Sequence, residues 1–174
     1  MERIILDMDN VIAEINPQYV NYFKKIYGTD LVLDELIQHQ KNGTFPDYSL
    51  LHKLLEEPQF FRGLPVMADA KEVVQELNDK YEIFIVSAAV EYPQSLTEKI
   101  EWLKEHFPFI KTRQIAFSGS KRFVHGDIMI DDKVSNLDHF NGRKLLFTHP
   151  NNLKYTGEQY TRVDNWKEVA KILL

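Results

Sequence analysis

Three short apolar runs in this chain stop on small or acidic polar residues: IILDMD at residues 4–9, EIFIVSAA at 82–89 and DIMIDD at 127–132. Each is too short for a stable helix and rich in β-branched or aromatic residues, which predicts a buried strand. Between and around them lie segments with apolar residues at helical spacing. ADAKEVVQELNDKY sets Val73, Val74 and Leu77 on one face, QSLTEKIEWLKEHF follows Pro93, and WKEVAKILL closes the chain. RQIAF and KLLFTH read as further strands, with a short helix around Leu137 between them. Strands alternating with helices predict an α/β domain, a Rossmann-like and mostly parallel sheet with helices on both faces.

Residues 15–65 break the alternation. Asn16-Pro17 opens the amphipathic segment PQYVNYFKKIYG, closed by Gly28. LVLDELIQHQ and YSLLHKLLEE follow, separated by the loop KNGTFPD with its Gly43 and Pro46. One crossover helix would connect two parallel strands, so several imply a small helical cap inserted after the first strand. The expected division is a core of residues 1–14 and 66–174 with a cap at 15–65. A chain of 174 residues can bury one full core plus such a module.

Charge and composition narrow the partners. A formal charge of −5 disfavours a nucleic-acid polymer but not a small phosphate ester bound through a metal. No cysteine is present, which removes thiolate and disulfide chemistry. No stretch has the apolar length of a membrane span, and the run after Glu2 and Arg3 is too short for a signal peptide. A cytoplasmic protein without membrane association is expected, its oligomeric state left open with a homodimer as one option.

In open parallel sheets, ligands bind outside the carboxyl ends of the strands. Asp7, Asp9, Ser87, Asp131 and Asp132 all stand at predicted strand ends and are expected to converge there. Carboxylates gathered in one crevice repel one another, and a divalent cation relieves this. An oxygen-only donor set selects a hard ion, Mg²⁺ before Zn²⁺, and Mg²⁺ commonly takes a substrate phosphate as a further ligand. Each residue then has a task. Asp7 would bind the metal and attack phosphorus. Asp9 would protonate the leaving alkoxide and later deprotonate water. Ser87 and the backbone N–H groups after it, starting at Ala88, would hold phosphate oxygens, and Lys121 of the SGSK loop would neutralise their charge. With three carboxylates and a phosphate dianion set against Mg²⁺ and one lysine, negative charge is in excess, and a proton on Asp9 would limit it. The plainer readings are a solvated strand end for Asp7 and Asp9, a surface lysine for Lys121, and a helix N-cap pair for Asp131 and Asp132.

DxD after the first strand, Ser after the second, a Lys, and an acidic pair after a later strand together resemble the haloacid dehalogenase superfamily of phosphohydrolases. DMDNVIAE, EEPQFFRGLPVMADAKEVVQELND, SKRFVHGDIMIDDK and LLFTHPNN more closely resemble the 5′(3′)-deoxyribonucleotidases, with ten residues from Lys121 to Asp131. The resemblance implies an Mg²⁺-dependent phosphatase of (deoxy)nucleoside monophosphates, 5′ and also 3′, working through an aspartyl phosphate. It makes Asp7 the nucleophile, Asp9 the acid/base whose backbone carbonyl also meets Mg²⁺, and Asp132 the third metal ligand with Asp131 hydrogen-bonding nearby. Ser87 and Lys121 match its phosphate binders, and Phe61, with Phe60, matches part of its base pocket. Four positions depart: Asn10 stands where glycine is frequent, Ala88-Ala89 replace a polar-proline pair, and Ile15 stands where an aromatic is expected. His125, Asp127 and His149 echo the family without a derivable role. Alternatives are a phosphatase or phosphotransferase for another small phosphate, and a non-catalytic nucleotide sensor. A receiver-type signalling domain would place its acidic pair on the first strand, the reverse of this order.

Overall fold

The computed structural model describes residues 1–28, 30–45 and 47–174; Pro46 of the predicted loop lies outside the described residues. Six strands form one sheet, every pairing parallel: β1 Arg3–Leu6, β2 Glu82–Ser87, β3 Ile115–Phe117, β4 Ile128–Asp131, β5 Arg143–Phe147 and β6 Thr161–Val163, in the order β3-β2-β1-β4-β5-β6. The α/β, mostly parallel expectation therefore holds. β1 is central, with Leu6 opposite both Ile85 and Ile130. The chain builds outward from β1 through β2 to β3, then returns to β1's other edge with β4. That reversal opens a crevice where β1 and β4 end.

Alternation along the strands feeds two apolar layers. Ile4 and Leu6 enter the larger core with Ile83, Ile85, Ile128, Ile130 and Leu145, while Ile5 joins Met129, Leu146, Leu137 and Phe140 in a smaller one. Helices α4 Ala70–Lys80, α5 Pro93–His106 and α7 Trp166–Leu173 put Val74, Leu77, Trp102 and Val169 into the larger layer. The short α6 Val134–Leu137 serves the smaller one. Pro93 begins α5, where its missing N–H is no loss.

Among the described residues three helices lie between β1 and α4: α1 Ile15–Tyr27, α2 Leu33–Asn42 and α3 Tyr48–Leu54. Gly28 and Gly43 end the first two in left-handed conformations, φ 67° and 65°. Tyr22, Leu36, Leu51 and Leu54 from these helices belong to the larger core. The segment returning to the sheet is pinned by Glu98 on α5. Its carboxylate accepts the backbone N–H groups of Gln59, Phe61 and Arg62 at 2.7, 3.0 and 3.3 Å.

Candidate active site

Asp7 follows β1 directly, and its N–H donates to the Ile130 carbonyl at 3.0 Å. Asp7 and Asp131 thus leave neighbouring strands at one level. Lys121 arrives from the loop after β3, fully buried, with Nζ 2.7 Å from Asp7 Oδ1 and 2.6 Å from Asp131 Oδ2. Burial alone would lower its pKa, but Asp7 and Asp131 outweigh that and hold it above the ordinary lysine value. Lys121 is a fixed cation, not a solvated surface lysine.

The acidic pair divides in environment. Asp131 is saturated: Oδ1 accepts the Lys133 N–H at 2.8 Å and Asn136 Nδ2 at 3.1 Å, and Oδ2 accepts Lys121. Among the described residues the Asp132 carboxylate is bonded only by Asn10 Nδ2, at 3.2 Å on Oδ2, and its Oδ1 is buried without a hydrogen-bond partner. Burial first, then the Asp7 charge, raises both carboxyls, Asp132 well above the usual range. Oxygens of Asp7, Asp131 and Asp132 lie within 4.8 Å of one another. Buried carboxylates this close call for a cation, and the oxygen-only donor set together with the orphaned Asp132 Oδ1 fits a hard divalent ion.

Asn10 makes the turn between these ends. Its φ is 59°, the left-handed region that asparagine tolerates better than most residues. The Met8 carbonyl gathers the N–H groups of Val11, Ile12 and Ala13 behind it. Where the resembled family often uses glycine, the side chain gained here reaches Asp132.

Asp9 faces a residue that reasoning from the sequence passed over. Lys99, on α5 and 1 % exposed, places Nζ 2.5 Å from Asp9 Oδ2, 3.0 Å from Ser87 Oγ and 4.4 Å from the Phe61 ring centroid. A hydroxyl has one hydrogen and two lone pairs. Because Lys99 donates to Ser87 Oγ, the Ser87 O–H remains free to donate elsewhere. Among the described residues, Asp9 Oδ1 is buried without a hydrogen-bond partner. The signal was available: Ser95, Lys99, Trp102 and Leu103 share one helical face, and the other three belong inside. Lys133, beside Asp132, is a third cation; Asp7 and then Asp132 raise its pKa against the lowering effect of burial. Lys99 and Lys133 change the charge count behind a proton on Asp9: with Lys121 and a divalent cation they bring five positive charges against the five negative charges of Asp7, Asp131, Asp132 and a phosphate dianion, a balance that an uncharged Asp9 keeps.

A cavity of about 470 Å³ opens above these groups. Asp9, Asp132, Lys133 and Ala88 line it from the sheet side, and Tyr19, Phe61, Tyr92, Asn16 and Gln40 line it further out. Phe60 points elsewhere, packing its ring against Tyr19 and Tyr22, and anchors the core. Asp127 binds the Arg3 N–H at 2.7 Å. His149 does line the cavity. Burial, then Lys133, lowers its pKa to about 4, so it is neutral. Between that value and the unfolded value the unfolded chain binds the extra proton, so stability falls as pH falls through this window. Wild type is expected to lose about 2 kcal/mol more than His149→Phe between about pH 7.5 and about pH 5, measured by urea unfolding. Equal losses would mean His149 is not held neutral.

This geometry can be set beside known proteins. The family model for "5′ nucleotidase, deoxy (Pyrimidine), cytosolic type C protein" matches residues 2–174. The chain belongs to this family. It is thereby an enzyme, a phosphoric monoester hydrolase. Among curated relatives, the 5′(3′)-deoxyribonucleotidases of Bacillus subtilis (strain 168) and of Bacillus phage SPbeta are each 36% identical over 176 residues, covering 100% of both chains. The fold of this nucleotidase-family chain matches a haloacid dehalogenase-like hydrolase from Streptococcus pneumoniae, with a TM-score of 0.64 at 14% identity, covering 100% of this chain and 99% of that one. A second match, a hydrolase of the same superfamily from Bacillus subtilis solved with magnesium, has a TM-score of 0.63 at 13% identity, covering 99% and 98%.

Proposed function

We propose that this family member hydrolyses (deoxy)nucleoside monophosphates, at the 5′ and also the 3′ position, through a phosphoryl group carried on Asp7. The observation that carries this reading is the pairing of two carboxylates with two separate lysines. Lys121 holds Asp7, and Lys99 holds Asp9 by Oδ2 while leaving Oδ1 unpartnered. An oriented nucleophile beside an oriented carboxyl with one free oxygen is the equipment for attack followed by proton transfer.

The Asp7 carboxylate attacks phosphorus as the ester P–O bond breaks, and Asp9 Oδ1 delivers its proton to the departing alkoxide. Water then attacks the phosphorus of the Asp7 phosphoryl ester and gives a proton back to Asp9, releasing inorganic phosphate and restoring the Asp7 carboxylate. The Ser87 hydroxyl and the backbone N–H after it bind the phosphate oxygens, and Lys121 balances their charge. Asp7, the Asp9 carbonyl and Asp132 would hold Mg²⁺, which supplies Lewis-acid stabilisation of the phosphate when bound. Asp132 is favoured over Asp131 because Asp131's oxygens are already taken. Residues 15–65 act as a small cap over the crevice, with Phe61 and Tyr19 offering aromatic surface to a base. Membership of a family of cytosolic type supports a cytoplasmic location.

The test is phosphate release from deoxy- and ribonucleoside 5′- and 3′-monophosphates and from sugar phosphates, with and without Mg²⁺. Release confined largely to nucleotides, lost on chelation and restored by Mg²⁺, is the expected result. Preferred turnover of sugar phosphates would discard the substrate; turnover that survives chelation would discard the metal assignment.

A further inference from the structure

Asn16 on α1 and Gln40 on α2 form a reciprocal amide pair. Asn16 Nδ2 donates to Gln40 Oε1 and Gln40 Nε2 donates to Asn16 Oδ1, both at 2.8 Å. Both residues line the cavity, and Gln40 is 7 % exposed. A glutamine buried at this depth stands one helical turn from Leu36, on the face where an apolar side chain would pack. The polar choice therefore asks for a reason beyond packing.

A primary amide has two N–H groups and two carbonyl lone pairs. The pairing consumes one of each per residue, and among the described residues no other group bonds either amide. In such a closed pair, each outer edge shows a carbonyl lone pair beside an N–H, separated by the same 2.8 Å as the bond between them. That is the pattern of adjacent donor and acceptor presented by the hydrogen-bonding edge of a nucleobase. The pair locks orientation as well, because turning one amide alone would set oxygen against oxygen. Only a concerted flip preserves both bonds, and it reverses the order of donor and acceptor on the edge.

We infer that the Asn16–Gln40 amide pair reads the donor–acceptor edge of the substrate's nucleobase. This rests on the nucleotidase reading above, which puts the phosphate at Asp7 and the base under α1 and α2. Tyr19 and Tyr92, which line the same cavity, supply aromatic contact that every base satisfies, whereas the amide edge demands a hydrogen-bonding base. A deoxyribose 5-phosphate, with the same phosphate and no base, gains nothing from the pair.

The experiment compares kcat/KM for thymidine 5′-monophosphate with that for deoxyribose 5-phosphate, in wild type and in Gln40→Leu and Asn16→Leu. The ratio of the two is expected to fall about 10- to 100-fold in each variant, mainly through KM for the nucleotide. If a leucine variant fails to fold, Gln40→Glu keeps the shape and one bond from Asn16 while removing the N–H donors. It must lower the same ratio. Parallel losses on both substrates would make the pair a structural clasp and overturn the inference, as would an unchanged ratio. Wild type that releases no phosphate from any nucleotide would instead sink the nucleotidase reading, a separate result.

Discussion

Asp7→Asn is expected to abolish phosphate release, with kcat falling by about 10⁴-fold or more. The amide cannot attack phosphorus, and no neighbouring group replaces it: Asp131 is occupied by Lys121, Asn136 and the Lys133 N–H, and Asp9 is held by Lys99. The fold should survive the change, because Lys121 keeps Asp131 at 2.6 Å as a counter-charge and the asparagine amide oxygen can still accept its hydrogen bond. Loss of turnover with a retained cooperative melt is therefore the expected pair of results. A single-turnover reaction quenched in acid should trap phosphate on the wild-type chain and none on Asp7→Asn. Turnover within about tenfold of wild type would remove Asp7 as the nucleophile.

Much of this architecture could be read from three strand ends. IILDMD, EIFIVSAA and DIMIDD announce β1, β2 and β4, and the parallel order brings their ends together because buried apolar strands with crossover helices have few other solutions. Pattern could not announce β6: three residues, of which Val163 alone is buried, pair with β5 only because Leu145 to Phe147 present an edge. Nor could it separate the neighbouring phenylalanines. Phe60 turns into the core and Phe61 toward the cavity because Glu98 grips the backbone around them, a contact spanning 37 residues. Asp131 and Asp132 were legible as a pair, but which one keeps an unsatisfied oxygen depends on Lys121, Asn136 and Asn10 arriving from elsewhere. Lys99 was missed for a different reason. A lysine in EKIEWLKEHF looks like one of several solvated charges, and its position on the Trp102 face counts only once strand-end carboxylates are known to lie beneath that face.

Lys99→Met is the second change with a large expected effect. The substitution keeps an unbranched side chain of similar length and removes only the ammonium. Replacing both partners of a buried ion pair by apolar groups is often neutral, whereas removing one alone leaves the other unpaired and costs stability. Here Lys99 touches two functional groups at once, Asp9 at 2.5 Å and Ser87 at 3.0 Å. Without it, the Asp9 carboxylate loses its direct partner and is free to rotate, and the Ser87 hydroxyl can turn its hydrogen toward Asp9 instead of toward phosphate. In the proposed mechanism both half-reactions use Asp9, so kcat should fall by about 10²- to 10³-fold, with KM changing much less. A purely structural lysine would instead alter stability and leave kcat per folded molecule intact. Chemical rescue separates these cases: Lys99→Ala leaves room for a small alkylammonium ion, and ethylammonium should restore part of the lost kcat where sodium at equal ionic strength does not. Full activity in the methionine variant would show that Asp9 is oriented without Lys99, and that the ammonium serves the packing of α5 on the sheet rather than the chemistry.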